Sequence, residues 1–379
     1  MTGRLLTALF WSSSGLLVYT HAGYPLLLRA LAGAEPVDEP TPPAEEELPS
    51  VSLIVAAYDE EEVIAAKVAN ARALDYPRER LEVVVASDGS GDATAARARD
   101  AGADLVLDLP RGGKIRAQDR AVERARGEVL AFSDANSAWA PDALRTLVAP
   151  LAVDPRTGYV CGQVRFVNEA GTNQEGLYWR YEMAVRALES RLAGVTAGNG
   201  AIYAVRRTAY LVVDPRMGHD LSFPFNMVKR GWRALYAPGA RAEEKMVPSI
   251  EGEFARKRRM MSHAWAIVLE GGLLSPRGYP PLYAFEMASH RVLRYASPFL
   301  HVAALASNLV LRNRGRAYRA TLAAQIGLLG AAALGPVLPA RPSRLAYYYA
   351  LVTASIAAGL FDHLRAGTAA GWEKAEGTR

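Results

Sequence analysis

Cysteine is almost absent from this sequence: Cys161 is the only one among 379 residues. A single thiol cannot form a disulfide within the chain, and this suits a reducing compartment. Because Cys161 lies in an apolar, strand-like run, we expect it to be a buried thiol.

Two phosphate-binding signatures are also missing. Gly89-Ser90-Gly91-Asp92 could cradle a phosphate, but it lacks the Gly-Lys-Ser/Thr ending of a Walker loop. The sequence contains no G-x-G-x-x-G fingerprint either. A P-loop and a classical dinucleotide site are therefore excluded.

A basic surface typical of nucleic-acid binding is lacking as well. The net charge of +5 rests largely on arginine, and the one basic run, Arg256-Lys257-Arg258-Arg259, is not interleaved with aromatic residues. Nucleic acid is therefore not an expected partner, whereas phosphate or anionic membrane lipid is.

Long apolar segments are present near both ends. Residues 5–31 can span a bilayer, and shorter candidates lie at 296–311, 320–339 and 345–361. A cleaved signal peptide is the alternative for the first segment, since Ala32-Gly33-Ala34 resembles a cleavage site. For the others, the alternatives are interfacial or buried core helices.

The middle of the chain alternates between strands and helices. The patterns predict strands at 51–57, 81–87, 104–109 and 128–133, with helices at 59–74, 92–101 and 115–125. This alternation predicts βαβ units around a parallel sheet, and hence an α/β fold.

Polar residues follow three of these strands. Tyr58, Asp88 and Asp134 each come directly after an apolar run. Because ligands bind such sheets at the carboxyl ends of the strands, these residues form one candidate crevice. Asp134, with Asn136 two residues on, has the oxygen ligands of a divalent ion that carries a diphosphate. The alternative for an isolated aspartate at this place is a turn or a helix cap.

Lys114 follows Gly112-Gly113 and opens a predicted helix. There it can meet a phosphate with the help of the helix N-terminus, although a solvated surface lysine is the alternative. Asp88 also has two interpretations. It is either a turn residue or a carboxylate that binds a base or ribose.

Seven short segments then occur in a recognisable order. They are Tyr58-Asp59-Glu60-Glu61, Ser87-Asp88-Gly89-Ser90-Gly91-Asp92, Gly113-Lys114 through Asp119, Ser133-Asp134-Ala135-Asn136, Gly198-Asn199-Gly200, His219-Asp220-Leu221 and Arg256 through Met260. In this order they resemble the family 2 glycosyltransferases, the GT-A group that includes cellulose, chitin and hyaluronan synthases. The resemblance covers about 50–270. The residues at 59, 119, 136, 256 and 260 depart from the family pattern.

The resemblance implies a nucleotide-diphosphate sugar donor, inversion at the anomeric carbon and a role for each matching residue. Asp220 would be the general base, and Mg²⁺ or Mn²⁺ would bind at Asp134 and Asn136. The other implied residues are Tyr58, Glu60 and Asp88 for the nucleoside, Lys114, Arg256 and Arg259 for the diphosphate, and Gly198, Asn199 and Gly200 on the acceptor side. His219 could be a metal ligand or a base, but we interpret it as a surface histidine.

Together these patterns predict a GT-A domain flanked by membrane helices. The predicted divisions are an anchor at 1–32, a linker at 33–49, the catalytic domain at 50–270, an interfacial region at 271–295, membrane or interfacial helices at 296–366 and a tail at 367–379. We expect a multi-pass protein of the plasma membrane with its catalytic domain in the cytoplasm, where sugar donors are found.

The acceptor is expected to be a membrane-associated glycan or a lipid-linked acceptor. One alternative is a transferase that adds a single sugar to a polyprenyl carrier, and another is a catalytically silent nucleotide-binding scaffold. Residues 178–182 could line an acceptor groove by stacking on a sugar, although a place in the helix core is the alternative.

Overall fold

A computed structural model of the protein describes residues 2–33, 40–167, 176–245, 250–338 and 340–371. The predicted linker and tail are described only in part, because 34–39 and 372–379 lie outside these ranges.

An eight-stranded sheet forms the centre of the described chain. Its strands are β1 (Val51–Ala57), β2 (Leu81–Asp88), β3 (Leu105–Leu109), β4 (Val129–Asp134), β5 (Ala138–Trp139), β6 (Thr157–Val167), β7 (Ile202–Arg206) and β8 (Arg233–Lys245). They lie in the order β3-β2-β1-β4-β7-β6-β8-β5. The first four strands are parallel, and β7 joins β4 and β6 as an antiparallel strand. The predicted α/β fold with a mainly parallel sheet is confirmed.

The helices cover the sheet and extend from both ends of the domain. They are α1 (Thr2–Val18), α2 (Tyr24–Ala32), α3 (Ile64–Arg72), α4 (Thr94–Asp100), α5 (Lys114–Arg124), α6 (Ala143–Val153), α7 (Gly176–Leu192), α8 (His219–Lys229), α9 (Ile250–Leu269), α10 (Pro281–Glu286), α11 (Leu293–Leu311), α12 (Arg316–Leu334) and α13 (Arg341–Ala366).

Burial on both faces explains why the first strands are almost entirely apolar. Val51 through Val55 are all buried in β1, and β4 is buried from Val129 through Ser133. The parallel register pairs Ala56 with Ala86 on one side and with Asp134 on the other. The carboxyl ends of β1, β2 and β4 therefore meet at one edge, as the sequence predicts.

One predicted helix is too long at its start. The pattern predicts a helix from 59, whereas α3 begins at Ile64. Asp59 has φ +50, in the left-handed region that aspartate tolerates better than most residues. Its carboxylate accepts a hydrogen bond of 2.8 Å from the Gly91 amide, and its own amide donates to Ser90 at 3.1 Å. This tertiary connection holds the segment before Ile64 as a loop.

The predicted apolar segments near the two ends form helices that are joined by π-helical turns. At the N-terminus, α1 and α2 are joined by a π-helical turn, Tyr19–Gly23, with helical backbone angles at its junctions. A second π-helical turn, Met287–Val292, joins α10 to α11. The predicted boundary at 295 therefore falls within continuous helix.

In the described part of the chain, α13 is the one helix that is long and apolar enough to cross a membrane by length and composition. It has 26 residues, and 33% of its most apolar stretch is buried within the protein. At 1.5 Å per residue a helix of this length extends about 39 Å, which exceeds the hydrocarbon core of a bilayer.

Two predictions about packing are resolved by the structure. Cys161 is free and buried in β6, as expected. In α7, Trp179 donates to the carbonyl of Val164 at 2.8 Å and Tyr181 to that of Thr20 at 3.4 Å. Both contacts favour the helix-core interpretation of residues 178–182; the side chain of Tyr178 lies outside the described residues.

Candidate active site

Three of the predicted residues form one charged cluster at the end of β4. The Nζ of Lys114 donates to the carboxylate of Asp134. Although burial opposes its positive charge, Asp134, Asp220 and Glu244 raise the pKa of Lys114. Lys114 is therefore not the solvated lysine of the alternative interpretation, and it links the carboxylates of Asp134 and Asp220 electrostatically.

Gly200 borders this cluster directly. A Cβ at this position would lie 3.4 Å from the Nζ of Lys114 and 3.9 Å from Oδ2 of Asp134. Glycine therefore keeps the space above the ion pair clear. The side chain of Asp134 remains 31% exposed, so the carboxylate is accessible from this opening.

Asp220 lies in the first turn of α8 and is partly buried. Burial raises the pKa of its carboxyl and Asp134 adds to this effect, while Lys114 and the amides of Leu221 and Asp220 oppose it; the net direction is upward. A raised pKa brings the group closer to the pH at which a general base works well. Gly218 makes room for it, since a Cβ there would lie 2.5 Å from Oδ1 of Asp220.

His219 is buried, and the prediction of a surface histidine is wrong. Its side chain stacks on Phe223, with ring centroids 3.8 Å apart, and its Nδ1 lies 2.8 Å from the hydroxyl of Tyr203. Burial, followed by the charge of Lys114, holds its pKa well below the usual range. The neutral imidazole anchors the start of α8 and so fixes the backbone beside Asp220.

Asp88 organises the loop that precedes Lys114. Its buried carboxylate accepts hydrogen bonds from the amides of Gly112 at 2.7 Å and Gly113 at 2.9 Å, and it pairs with Arg111. The Arg111 guanidinium also lies over the ring of Tyr58, 3.4 Å from its centroid. Asp88 and Tyr58, both predicted to contact the nucleoside, thus share Arg111 as a neighbour.

Glu60 lies in the loop that follows β1 and is 7% exposed. Its amide donates to the hydroxyl of Thr94 at 2.8 Å. The structure therefore places Glu60 where the β1 and β2 loops meet.

Two of the three acceptor-side residues have evident roles in packing. The side chain of Asn199 donates to the carbonyl of Gly162 at 2.6 Å and accepts from the amide of Ile202 at 2.9 Å. Gly198 donates to the backbone carbonyl of Asp220 at 2.7 Å, and a Cβ there would collide with the hydroxyl of Tyr159. These residues hold the loop that carries Gly200 against α8.

The two predicted arginines, Arg256 and Arg259, lie on α9. Arg256 pairs with Glu253 at 2.8 Å and lies 3.5 Å from the sulfur of Met260, both on its own helix. Within the described residues, the Nε of Arg259 is buried without a hydrogen-bond partner. Their contact with a donor remains a prediction.

Sequence reasoning missed Lys67, which is buried on α3. Its Nζ donates to the carbonyl of Ser137 at 2.7 Å, and burial lowers its pKa to about 7 despite the nearby charges of Asp134 and Glu244. One turn later, Asn70 exchanges two hydrogen bonds of 2.9 Å with the backbone of Trp139. Together they clamp the segment that follows Asp134. A lysine on the otherwise apolar face of α3 is the signal that could have revealed it.

A divalent ion fits this site if the donor supplies most of its ligands. Within the described residues, no group of three or more histidine, cysteine, aspartate and glutamate side chains could hold a metal. Asp134 and Asn136 offer one carboxylate and one amide oxygen. Hard divalent ions are often held by one or two protein oxygens together with substrate phosphates and water.

A second polar network lies away from this site, between the N-terminal helix and the catalytic domain. Glu189 of α7 is fully buried and accepts hydrogen bonds from Tyr24 at 2.8 Å and Thr196 at 2.9 Å. His290 lies 2.7 Å from the same carboxylate. Glu286, one helical turn before His290, is also fully buried. Within the described chain, neither of its carboxylate oxygens has a hydrogen-bond partner.

Residues 49–262 match the family model described as "Glycosyltransferase like family 2", which covers more than half of the chain. Among curated proteins, an "N-acetylglucosaminyltransferase" of Sinorhizobium fredii (strain NBRC 101917 / NGR234) is 27% identical over 280 residues, covering 68% of this chain and 66% of the relative. A "Poly-beta-1,6-N-acetyl-D-glucosamine synthase" of Staphylococcus aureus (strain COL) is 24% identical over 224 residues, covering 56% and 54%. The chain thus matches only part of the length of these relatives.

Among solved structures, a mannosyltransferase from Pyrobaculum calidifontis, PcManGT, has a similar fold. The TM-score is 0.72 at 24% sequence identity, and the match covers 96% of this chain and 99% of the other. That structure is described as a complex with GDP-Man and Mn²⁺. At this identity the likeness concerns the fold.

Proposed function

Because the chain belongs to glycosyltransferase family 2, we propose that it moves a sugar from a nucleotide-diphosphate sugar to a membrane-associated glycan or lipid-linked acceptor, with inversion. One observation carries the proposal: Lys114 connects the accessible Asp134 electrostatically with the partly buried Asp220, beside an opening bordered by Gly200. This arrangement offers a leaving-group site and a base side by side, and transfer requires both.

The acceptor hydroxyl is a poor nucleophile until it loses its proton. Asp220 would accept that proton in the transition state as a general base. Its raised pKa supports this role, because a more basic carboxylate removes the proton more readily. The hydrogen bond between Gly198 and the Asp220 backbone would hold the base in place.

The leaving diphosphate gains negative charge as the bond to the sugar breaks. Asp134 and Asn136 would hold Mg²⁺ or Mn²⁺, and this ion would offset the charge of the diphosphate when it is bound. Lys114, the first residue of α5, would pair with a phosphate oxygen, and the helix N-terminus would favour the same negative charge. Arg256 and Arg259 would act from α9 if that helix approaches the bound donor.

The nucleoside would lie beside the β1 and β2 ends. We propose that Tyr58 and Asp88, together with Glu60, shape this part of the site. The Arg111 guanidinium now covers the Tyr58 ring, so a base that stacks on Tyr58 would have to displace or join it.

Membrane attachment gives the enzyme access to a lipid-linked acceptor. The helices outside the sheet domain expose large apolar side chains, among them Val18 at 67%, Val302 at 68% and Leu364 at 71%. Exposed apolar surface of this kind is typical of membrane contact. We propose that α1, α2 and α11–α13 anchor the protein in the plasma membrane and that the catalytic domain faces the cytoplasm.

A panel of nucleotide sugars, incubated with purified protein and Mn²⁺ or Mg²⁺, tests the proposal. We expect metal-dependent release of nucleoside diphosphate from one donor, and a product on a lipid-linked acceptor. Product length then separates polymerisation from the addition of a single sugar. If a donor is bound but none is cleaved, the alternative of a silent nucleotide-binding scaffold replaces our proposal; if none is bound, both are wrong.

A further inference from the structure

The chain turns back toward the catalytic domain after its last helix. α13 ends at Ala366, and Gly367 follows with φ +71, a conformation that favours glycine. The Gly367 amide donates to the carbonyl of His363 at 2.9 Å, which closes the helix end. The next residues therefore leave the helix axis and run over α9.

Thr368 fastens this returning segment. Its buried hydroxyl donates to the backbone carbonyl of Ser262 at 3.1 Å. The same oxygen lies 3.0 Å from the hydroxyl of Ser262 and 2.9 Å from Nδ1 of His363. One side chain thus connects the segment both to α9 and to the end of α13.

α13 is itself fixed on α9, so the position of the segment is well determined. The indole of Trp265 donates to the carbonyl of Ile356 at 2.8 Å. Arg258 forms a bidentate salt bridge with Asp362, with distances of 2.5 and 2.6 Å. Gly359 allows the close approach of the two helices, since a Cβ there would lie 2.5 Å from the Cβ of Met261.

The segment ends against the loop that precedes Lys114. A Cβ at Gly113 would collide with the carbonyl oxygen of Ala370 and would lie 3.1 Å from its carbonyl carbon. Gly113 also has φ +95, and its amide donates to Asp88. The loop of residues 111–113 is therefore held between Asp88 on the inside and Ala370 on the outside.

We propose that residues 367–371, here called the C-terminal strap, form the outer wall of the donor site, with Thr368 as the positioning residue. The inference rests on the proposed function, because the loop in question leads to Lys114. Displacement of this loop would require the strap to move. The strap therefore slows the release of nucleoside diphosphate, and it connects α13 to the donor site.

Two truncations of the full chain form a matched pair for the test. One ends at Gly371 and keeps the strap, and the other ends at Ala366 and removes it. Release of mant-labelled GDP and UDP in the presence of Mn²⁺ is measured by stopped-flow fluorescence. We expect nucleotide release from the chain ending at Ala366 to be about tenfold faster than from the full chain, which is the effect of losing one to two hydrogen bonds. The chain ending at Gly371 should release nucleotide at the rate of the full chain.

A point variant guards against a general loss of structure. Thr368→Val removes the hydroxyl and keeps the shape, and Thr353→Val, on α13, is its control. Amide hydrogen exchange of residues 109–115, measured without nucleotide, reports how firmly the loop before Lys114 is held. We expect faster exchange of the Gly112 and Gly113 amides in Thr368→Val and in the chain ending at Ala366, but not in the control.

The outcomes distinguish the strap from the donor site itself. If the full chain binds neither labelled nucleotide, the proposed function fails and the strap proposal with it. If it binds one of them, but release and amide exchange are the same with and without residues 367–371, the donor site stands and the strap proposal is wrong. Faster release already in the chain ending at Gly371 would also overturn it.

Discussion

The site at the end of β4 and the network around Glu189 both contain buried charged groups, but they differ in how those groups are satisfied. In the network, Glu189 has hydrogen-bond partners on both carboxylate oxygens and is fully buried. At the site, Asp134 has Lys114 as its partner and remains open on one side. A buried carboxylate with partners on both oxygens, such as Glu189, stabilises a fold, whereas a carboxylate that is open on one side, such as Asp134, can still bind a ligand.

The charge states show the same difference. Although burial opposes ionisation of Glu189, the positive charge of His290, with Arg291 and hydrogen bonds, lowers its pKa. At Asp220, burial prevails and the pKa is raised. The protein thus keeps a stable carboxylate beside the N-terminal helix, and a more basic one where we propose that a proton is removed.

Asp220→Asn should have the largest effect of the variants that distinguish the two regions. We expect the rate of transfer to fall by about 10²–10⁴-fold, the usual contribution of a general base. Because the pKa of Asp220 is raised on folding, its ionised form costs stability at neutral pH, and the variant should melt no earlier than the wild type. Unchanged turnover would contradict the base assignment; binding of nucleoside diphosphate is the control.

Asp134→Ala should have the next largest effect. It removes the carboxylate proposed to hold the metal, and we expect metal-dependent nucleotide binding to weaken by about 100-fold or more. Asn136→Ala is the matched comparison and should have a smaller effect, since an uncharged amide is a weaker ligand. Calorimetric titration with Mn²⁺ and nucleotide measures both. Identical titrations for wild type and Asp134→Ala would exclude Asp134 as a ligand.

Glu189→Gln should act on stability instead of chemistry. Breaking a buried, paired charge costs about 3–5 kcal/mol, so thermal unfolding should occur at lower temperature while the folded fraction retains its turnover per molecule. A loss of turnover at full stability would mean that the network takes part in catalysis.

The pH dependence of this network has a definite sign. Although burial and Arg291 oppose it, Glu189 and Glu182 raise the pKa of His290. Stabilisation from His290 is therefore complete below its unfolded pKa of about 6.5 and is lost as the pH rises through the folded value. The contribution of Glu189 is present above about 4.5 and is lost as the pH falls. The stability difference between wild type and Glu189→Gln should therefore be greatest between these limits.

Lys67→Met tests whether the clamp on Ser137 supports the metal site. We expect about tenfold weaker Mn²⁺ binding, because groups that orient a ligand segment have effects of this size. The pKa of Lys67 falls to about 7 on burial, so between pH 7 and 10.5 the unfolded chain holds a proton that the folded chain lacks. Wild-type stability should therefore rise with pH over this range relative to the variant. Equal metal binding would show that the clamp is only structural.

Glu286→Gln should have the smallest effect and provides a matched contrast to Glu189→Gln. Burial, with the charge of Glu189, raises the pKa of Glu286 to about 9, so the carboxyl is neutral at pH 7. Its replacement by a neutral amide should change stability by less than about 1 kcal/mol. A large loss in chemical denaturation would instead show that Glu286 is ionised in the folded protein.

The sequence by itself determined the parallel part of the sheet, strands β1 to β4. The first four strands have apolar runs because they are buried on both faces, and their bounds agree with the predictions to within about a residue. The places of Tyr58, Asp88 and Asp134 could also be predicted, because parallel strands bring their carboxyl ends to one edge. Asp220 follows no such strand, and only the resemblance to the family pointed to it. Local patterns are sufficient where burial dictates the composition.

Only the tertiary structure decided the rest. It showed His219 inside the core, α3 beginning at Ile64, Lys67 bound to the segment that follows Asp134, and Ala370 against Gly113. These placements depend on contacts between distant segments, such as Lys67 with Ser137 and Gly113 with Ala370, and a local pattern does not specify such partners. Lys67 can lie in the interior because the distant Ser137 carbonyl accepts its hydrogen bond. Position 113 requires glycine because the distant Ala370 occupies the space of a side chain.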